Sequence, residues 1–250
     1  MISTSLAFKT LTILGVWFPN NNNNFGKFRK YVYNFYTFLV TINYYLFVIL
    51  LTITAITEND KEKIIETFLL IATTFFLLWK LNNLLLNKNG IINLDTKLYH
   101  DLFIPTSEDE LSVERNCKKI MKKIVILFSF LGCSVSIFYC IYPLMSEEMY
   151  LLPANQWFPF EINSSNYKVV YVWQVFNFIH GAFLQCCSDC IFVEFISYGC
   201  VQFSILTKRL KKISAIIAST KKSNMSKQDI RNIERKILRN PFEHHQLIFE

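Results

Sequence analysis

The stretch TFLVTINYYLFVILLTITAI, Thr37 to Ile56, runs for twenty residues without one charged side chain. A helix that crosses ~30 Å of hydrocarbon needs about 20 such residues at ~1.5 Å each. A helix lying on a soluble core would instead carry a polar stripe at helical period. Thr37–Ile56 therefore reads as a membrane span and sets the scale for its neighbours. Ile64 to Leu86 is a second span, with Glu66 and Lys80 close enough to its ends to snorkel into an interface. Ile124 to Leu144 is a third, bounded by Lys118, Lys119, Lys122 and Lys123 before it and closed by Pro143.

Tyr167 to Leu206 stays apolar over its whole length, interrupted only by Lys168, Asp189 and Glu194. It is too long for one span and holds no turn signal stronger than Gly181. It reads as one helix that crosses the membrane over about 167–190 and continues to 206. The third span overshoots in the opposite sense. After Pro105, Ser107 and Glu110 have the spacing of a capping box, and the helical pattern then continues to Tyr142, roughly 50 Å of helix.

The expected fold class is all-α: a polytopic membrane helix bundle of about four transmembrane helices with cytoplasmic helical extensions. Residues 1–36 form a cytoplasmic N-terminus, 37–206 the transmembrane region (spans 37–56, 64–86, 124–144 and 167–190, extended to 206), and 207–250 a cytoplasmic segment. Charge sets the orientation. Twenty-three Lys and Arg fall in the segments on one side, including Lys118–Lys123 and Lys208–Lys212 beside spans, against Lys61, Lys63 and Lys168 on the other. The positive-inside rule puts the richer side, with both ends, in the cytoplasm of a multi-pass plasma-membrane protein. Composition agrees: only 18% of residues are charged, and 24 Phe, 12 Tyr and 4 Trp suit a bilayer core and its interfaces. The net charge of +7 is spread between apolar segments rather than along one soluble face, which argues against nucleic-acid binding. Met1 to Phe18 lacks the basic start and small-residue cleavage site of a signal peptide, and Lys9 breaks its apolar run.

Chemistry has little foothold. Cys186-Cys187-x-x-Cys190 lacks the second ligand pair of a zinc site, and the seven cysteines suit packing. Asp189 sits ~33 Å along its helix from Tyr167, so it and Glu194 are expected at or below the cytoplasmic interface. Gln174 and His180 lie in the membrane half of that helix, either bonding a neighbouring helix or lining a small-molecule pocket. Asn163-Ser164-Ser165 is a glycosylation sequon in the Lys-free external link. The Asn20–Asn24 tract reads as a solvated low-complexity patch. No Walker A, GxSxG, HExxH or GxGxxG pattern occurs, so neither enzyme, cofactor nor metal is expected.

Several of these segments resemble the insect odorant receptor family. Leu152-Pro153, Trp157-Phe158-Pro159-Phe160, and Tyr167 with Val170-Tyr171 and Trp173-Gln174-Val175-Phe176 resemble its external stretch and the start of its fourth helix. Cys187-x-Asp189, Phe192-Val193, Cys200-x-Gln202-Phe203-x-Ile205-Leu206 and Arg209-Leu210 resemble that helix running into the cytoplasm. His244-His245 with Leu247-Ile248 resembles the stretch before a fifth helix. The resemblance implies a subunit of a ligand-gated cation channel that works with an odorant co-receptor and binds volatile small molecules amid membrane lipid. Such subunits have seven helices, so this chain is expected to be an N-terminal fragment carrying the first four, without pore residues. Their pocket lies in the outer half of the bundle, which here contains Phe68, Ile71, Phe75, Tyr139, Tyr142, Trp173, Phe176, Asn177 and His180. A gustatory receptor of the same superfamily, or a small membrane transporter, is the alternative.

Overall fold

The computed structural model describes residues 5–18, 27–98, 100–146, 150–221, 238–239 and 241–248; the Asn20–Asn24 tract lies outside them. Its helices are α1 (Leu6–Ile13), α2 (Lys27–Thr57), α3 (Lys61–Leu86), α4 (Lys88–Lys97), α5 (Glu108–Met145) and α6 (Tyr167–Lys221), with a 3-10 turn over Asp101–Phe103. The fold is all-helical, with no strand among the described residues. By length and composition α2, α3, α5 and α6 could each cross a membrane. Their apolar surface points outward: only 11% of the apolar window in α5 is buried, leaving Phe130, Leu131 and Phe138 exposed. Such a surface suits hydrocarbon, where a helix satisfies its own backbone and needs no apolar cover. The chain is a multi-pass membrane protein. α2 starts at Lys27, ten residues before the uncharged run, because its hydrogen bonds continue through YVYNFY without Pro or Gly to stop them.

The chain divides into two compact units. One comprises residues 3–89 and 124–191. There the N-terminal residues do more than trail: Ala7, Phe8, Leu11, Leu14, Val16 and Trp17 are all buried. α1 opens on Ser5, whose hydroxyl accepts from the Phe8 amide at 3.4 Å. It closes in a Schellman turn, with Val16 N–H bonding Leu11 C=O at 3.0 Å and Gly15 N–H bonding Thr12 C=O at 3.3 Å. Gly15 takes φ +83°, and a Cβ there would lie 2.5 Å from the Tyr36 ring of α2, so both backbone and neighbour require glycine. Thr37 and Tyr33 hold the turn by donating to Gly15 C=O (2.5 Å) and Thr12 C=O (2.9 Å).

Close helix contacts elsewhere in this unit use small residues, as expected where lipid supplies no hydrophobic drive between helices. A Cβ on Gly132 of α5 would come within 2.7 Å of Cys186 Sγ on α6, and one on Gly181 would touch Leu77 and Tyr44 at 3.4 Å. Cys186, Cys187 and Cys190 are buried and form no disulfide, and Cys186 donates to Phe128 C=O at 3.4 Å. Asp189 is paired: Lys80 Nζ of α3 lies 2.6 Å from its carboxylate. Lys80 thus neutralises a carboxylate on another helix.

The second unit comprises residues 90–123 and 192–250, and a saturated ionic knot lies within it. Arg209 of α6 grips Glu110 of α5 through Nε (3.2 Å) and Nη2 (3.0 Å) and gives its other N–H groups to Leu102 C=O, Ile104 C=O and His244 Nδ1. All five guanidinium donors are used. The capping box is present in shifted form. Ser107 Oγ accepts the Glu110 amide at 3.4 Å, but the Glu110 carboxylate reaches Thr106 N–H, at 2.9 Å, rather than the Ser107 amide. His244, in a helical stretch over 241–248, is fully buried against Phe103 and shares its Nε2 with Gln202 Oε1 at 3.2 Å.

Arginine cannot accept a hydrogen bond, so His244 Nδ1 must be the unprotonated nitrogen facing it. Burial and then the Arg209 charge push the His244 pKa from 6.5 down to about 4, against the pull of Glu110. Between these values the unfolded imidazole takes up a proton that the folded one refuses, so folded stability falls as pH drops through that window. Amide-exchange protection over 241–248 is expected to decrease from pH 7 to pH 5. His244→Gln should flatten that dependence; an unchanged profile would contradict it.

Candidate ligand-binding site

Asn43 is the one side-chain amide within the uncharged run of α2, and Tyr44 follows it. Both face α6. Asn43 Nδ2 donates to Asn177 Oδ1 at 2.6 Å, while Trp173 Nε1 donates to Asn43 Oδ1 at 2.9 Å. Asn177 Nδ2 closes the set on Trp173 C=O at 2.8 Å. Tyr44 Oη and His180 Nδ1 lie 2.7 Å apart in a buried hydrogen bond. The other ring nitrogen, Nε2, is buried with the Leu14 backbone beside it and makes no hydrogen bond of ordinary geometry. Trp173, Asn177 and His180 recur at helical spacing, which places them on one face of α6.

Aromatic rings wall this cluster. Phe176 stacks on His180 (5.1 Å between centroids), and Phe47 meets Trp173 at 5.5 Å and Phe178 at 6.0 Å. Tyr139 of α5 reaches Phe178 at 5.4 Å. The link between α5 and α6 folds over the same region. Gln174, fully buried, exchanges hydrogen bonds with both backbone groups of Ala154 (3.0 and 3.2 Å) and donates to Gln156 Oε1 at 2.9 Å. Gln156 in turn donates to Phe47 C=O at 3.1 Å, and Trp157 N–H to Thr54 Oγ1 at 2.6 Å. The result is a mostly apolar interior with a few fixed polar groups, the usual construction of a small-molecule site.

Of the residues expected from sequence, Trp173, Phe176, Asn177 and His180 come together, with Tyr139 one ring away. Phe68 and Phe75 of α3 and Tyr142 of α5 are exposed and make no contact with this cluster in the hydrogen bonds and ring pairs above; Phe176 and Tyr139 are exposed as well, and Ile71 is half-buried. Asn43, Tyr44, Phe47 and Gln156 were not anticipated. A lone amide in twenty apolar residues was the available signal, since a polar side chain in a span usually bonds another helix. Asn163 is exposed just ahead of α6, and its side-chain oxygen accepts from the Ser165 amide at 3.1 Å.

The cluster belongs to a chain with four helices long and apolar enough to cross a membrane. The comparisons make this specific. Residues 60–250 match the family model for the 7tm odorant receptor, and the chain belongs to that family. It is 28% identical over 177 residues to odorant receptor 13a of Drosophila melanogaster, covering 65% of this chain and 41% of that protein. It is similar in fold to the insect olfactory receptor OR5 of Machilis hrabei, with a TM-score of 0.64 at 16% identity, covering 97% of this chain and 64% of that one. The chain thus spans less than two thirds of the length of either relative.

The Tyr44–His180 bond is testable by a double-mutant cycle. Tyr44→Phe and His180→Leu, singly and together, should show a coupling of roughly 0.5–1.7 kcal/mol in thermal unfolding of the detergent-solubilised protein, the range seen for hydrogen bonds within membrane bundles. Strict additivity would mean the bond contributes nothing to the bundle.

Proposed function

We propose that this chain is the ligand-recognising part of an odorant receptor subunit that binds volatile small molecules and, with a co-receptor, gates a cation channel in the plasma membrane. The observation that supports it most directly is the α2–α6 cluster, set in a chain of this family. Trp173, Phe176 and Tyr139 offer large apolar area, and Asn177 and His180 offer hydrogen-bond handles. Phe68, Ile71, Phe75 and Tyr142 belong to the proposal through the family resemblance alone, since they stand outside the α2–α6 cluster.

The same reading puts residues 1–36 and the Lys118 and Lys208 ends of α5 and α6 in the cytoplasm, and the 150–166 link outside. The positive-inside imbalance supports it. Asn163, exposed on that link, is then a glycosylation site. Endoglycosidase treatment should lower the apparent mass of the wild-type protein, and Asn163→Gln should abolish the step. An unglycosylated wild-type protein with an accessible sequon would count against the external placement.

Co-expression with an odorant co-receptor should give odour-evoked cation currents absent from the co-receptor alone. With surface expression matched by biotinylation, His180→Ala and Trp173→Ala should raise the half-maximal odorant concentration about tenfold, a loss of ~1.4 kcal/mol. Currents indistinguishable from those of the co-receptor across a broad panel would overturn the reading.

A further inference from the structure

α5 and α6 lie side by side in the second unit, joined by the Arg209–Glu110 pair and by Lys208, whose Nζ donates to Asp109 C=O at 3.0 Å. About two turns further along α5, Cys117 points its sulfur into α6. Its Sγ lies 3.9 Å from Ser197 C=O, a long thiol hydrogen bond. A helical C=O points towards the C-terminus, and residues three apart are neighbours on the helix surface. The Ser197 oxygen is therefore aimed at the turn that carries Cys200. Two thiols, one on each helix, stand at one level of the pair.

Electrostatics agrees with this placement. Burial raises the Cys117 pKa first, and Cys200 raises it next, ahead of Glu114 on the same helix and against the pull of Lys118. Coulomb interactions weaken with distance, so Cys200 acts on Cys117 from close by. The two sulfurs differ in access. Cys200 is exposed, and a Cβ on the adjoining Gly199 would meet nothing within 4 Å, whereas Cys117 is half-buried. The other five cysteines fall within 124–144 and 167–190, the stretches read as spans. Under the proposed orientation Cys117 and Cys200 face the cytoplasm, where disulfides are transient and redox-sensing rather than structural. An accessible thiol beside a more sheltered resolving thiol is the arrangement of a reversible redox pair.

We infer that Cys117 and Cys200 form a peroxide-sensitive dithiol that closes to a disulfide between α5 and α6. Hydrogen peroxide is the oxidant. Its O–O bond breaks as one oxygen passes to the Cys200 sulfur, giving a sulfenic acid and one water. The Cys117 sulfur then attacks the Cys200 sulfur; the S–O bond breaks, and hydroxide leaves with the Cys117 proton as a second water. Two thiols together lose two electrons, and one peroxide gains them. Cys200, being exposed, is the side chain that turns to make the bond. The closed bond would staple α5 to α6 about two turns from Glu110. This inference rests on the α5–α6 contact and stands independently of what the α2–α6 cluster binds.

Thiol counting on the full chain in detergent tests it. The reduced protein is treated with hydrogen peroxide, quenched with catalase, unfolded and labelled with a polyethylene-glycol maleimide. The wild type should lose two of its seven thiols, remain monomeric and regain both in dithiothreitol. Peptic digestion should give one linked pair of peptides, holding Cys117 and Cys200. Cys117→Ser should lose one thiol, with dimedone trapping the Cys200 sulfenic acid, and Cys200→Ser should lose none. Cys133→Ser with Cys186→Ser, which removes one thiol from each of the same helices, should still lose two. The inference is overturned if the wild type keeps all its thiols, if it links instead into a dimer through Cys200, or if the linked peptides join other cysteines. Loss of the response in the folded Cys133/Cys186 control would overturn it too. Should the Cys117 and Cys200 variants not fold, the linked peptides of the wild type decide.

Discussion

A polar side chain enclosed in a membrane bundle has no water to bond, so it must find its partner on another helix. In this chain that constraint falls on Asn43 and Tyr44. Asn43 satisfies Asn177 and Trp173, and Tyr44 satisfies His180, in three hydrogen bonds of 2.6 to 2.9 Å that fix the facing register of α2 and α6. A quarter-turn of either helix would strand several of these groups in an apolar surrounding. The rings of Phe47, Phe176 and Phe178 take their places around that register. So does the link above, because Gln156 must reach Phe47 C=O while it accepts from Gln174.

The second unit solves the same problem with charge. Arg209 and Glu110 are both largely buried, a costly arrangement unless every donor and acceptor is met. The five N–H groups of Arg209 meet that condition by collecting two backbone carbonyls, one carboxylate and His244. The price of such saturation is sensitivity at its weakest member: His244 tolerates this neighbour only while neutral. Lys80 and Asp189 form a more exposed pair, at 25% and 39% side-chain exposure.

Much of this was legible from residues alone, for identifiable reasons. Twenty uncharged residues can form a span without any tertiary help, because a helix in hydrocarbon satisfies its own backbone. The start of α5 could be read because Ser107 and Glu110 announce a helix end locally, although the Glu110 carboxylate chose Thr106. The N-terminal residues were less transparent. Leu6–Ile13 is too short to span and carries Lys9, so nothing local shows that Phe8, Leu11 and Trp17 are buried. Within the site, Trp173, Asn177 and His180 could be nominated as polar and aromatic groups in an apolar helix. Their partners on α2 lie about 130 residues away, beyond any local pattern.

What the sequence by itself determined is the solvent this protein lives in and the set of helices that cross it. Hydrophobic length and the absence of charge are properties of single segments, additive along the chain. Which polar groups meet was decided only by the tertiary structure. The Asn43–Asn177, Tyr44–His180 and Arg209–Glu110–His244 contacts depend on helix rotation and depth, which no single segment specifies. The approach of Lys88 to the Trp17 and Phe18 rings is likewise a product of the fold, since these residues lie far apart in the chain.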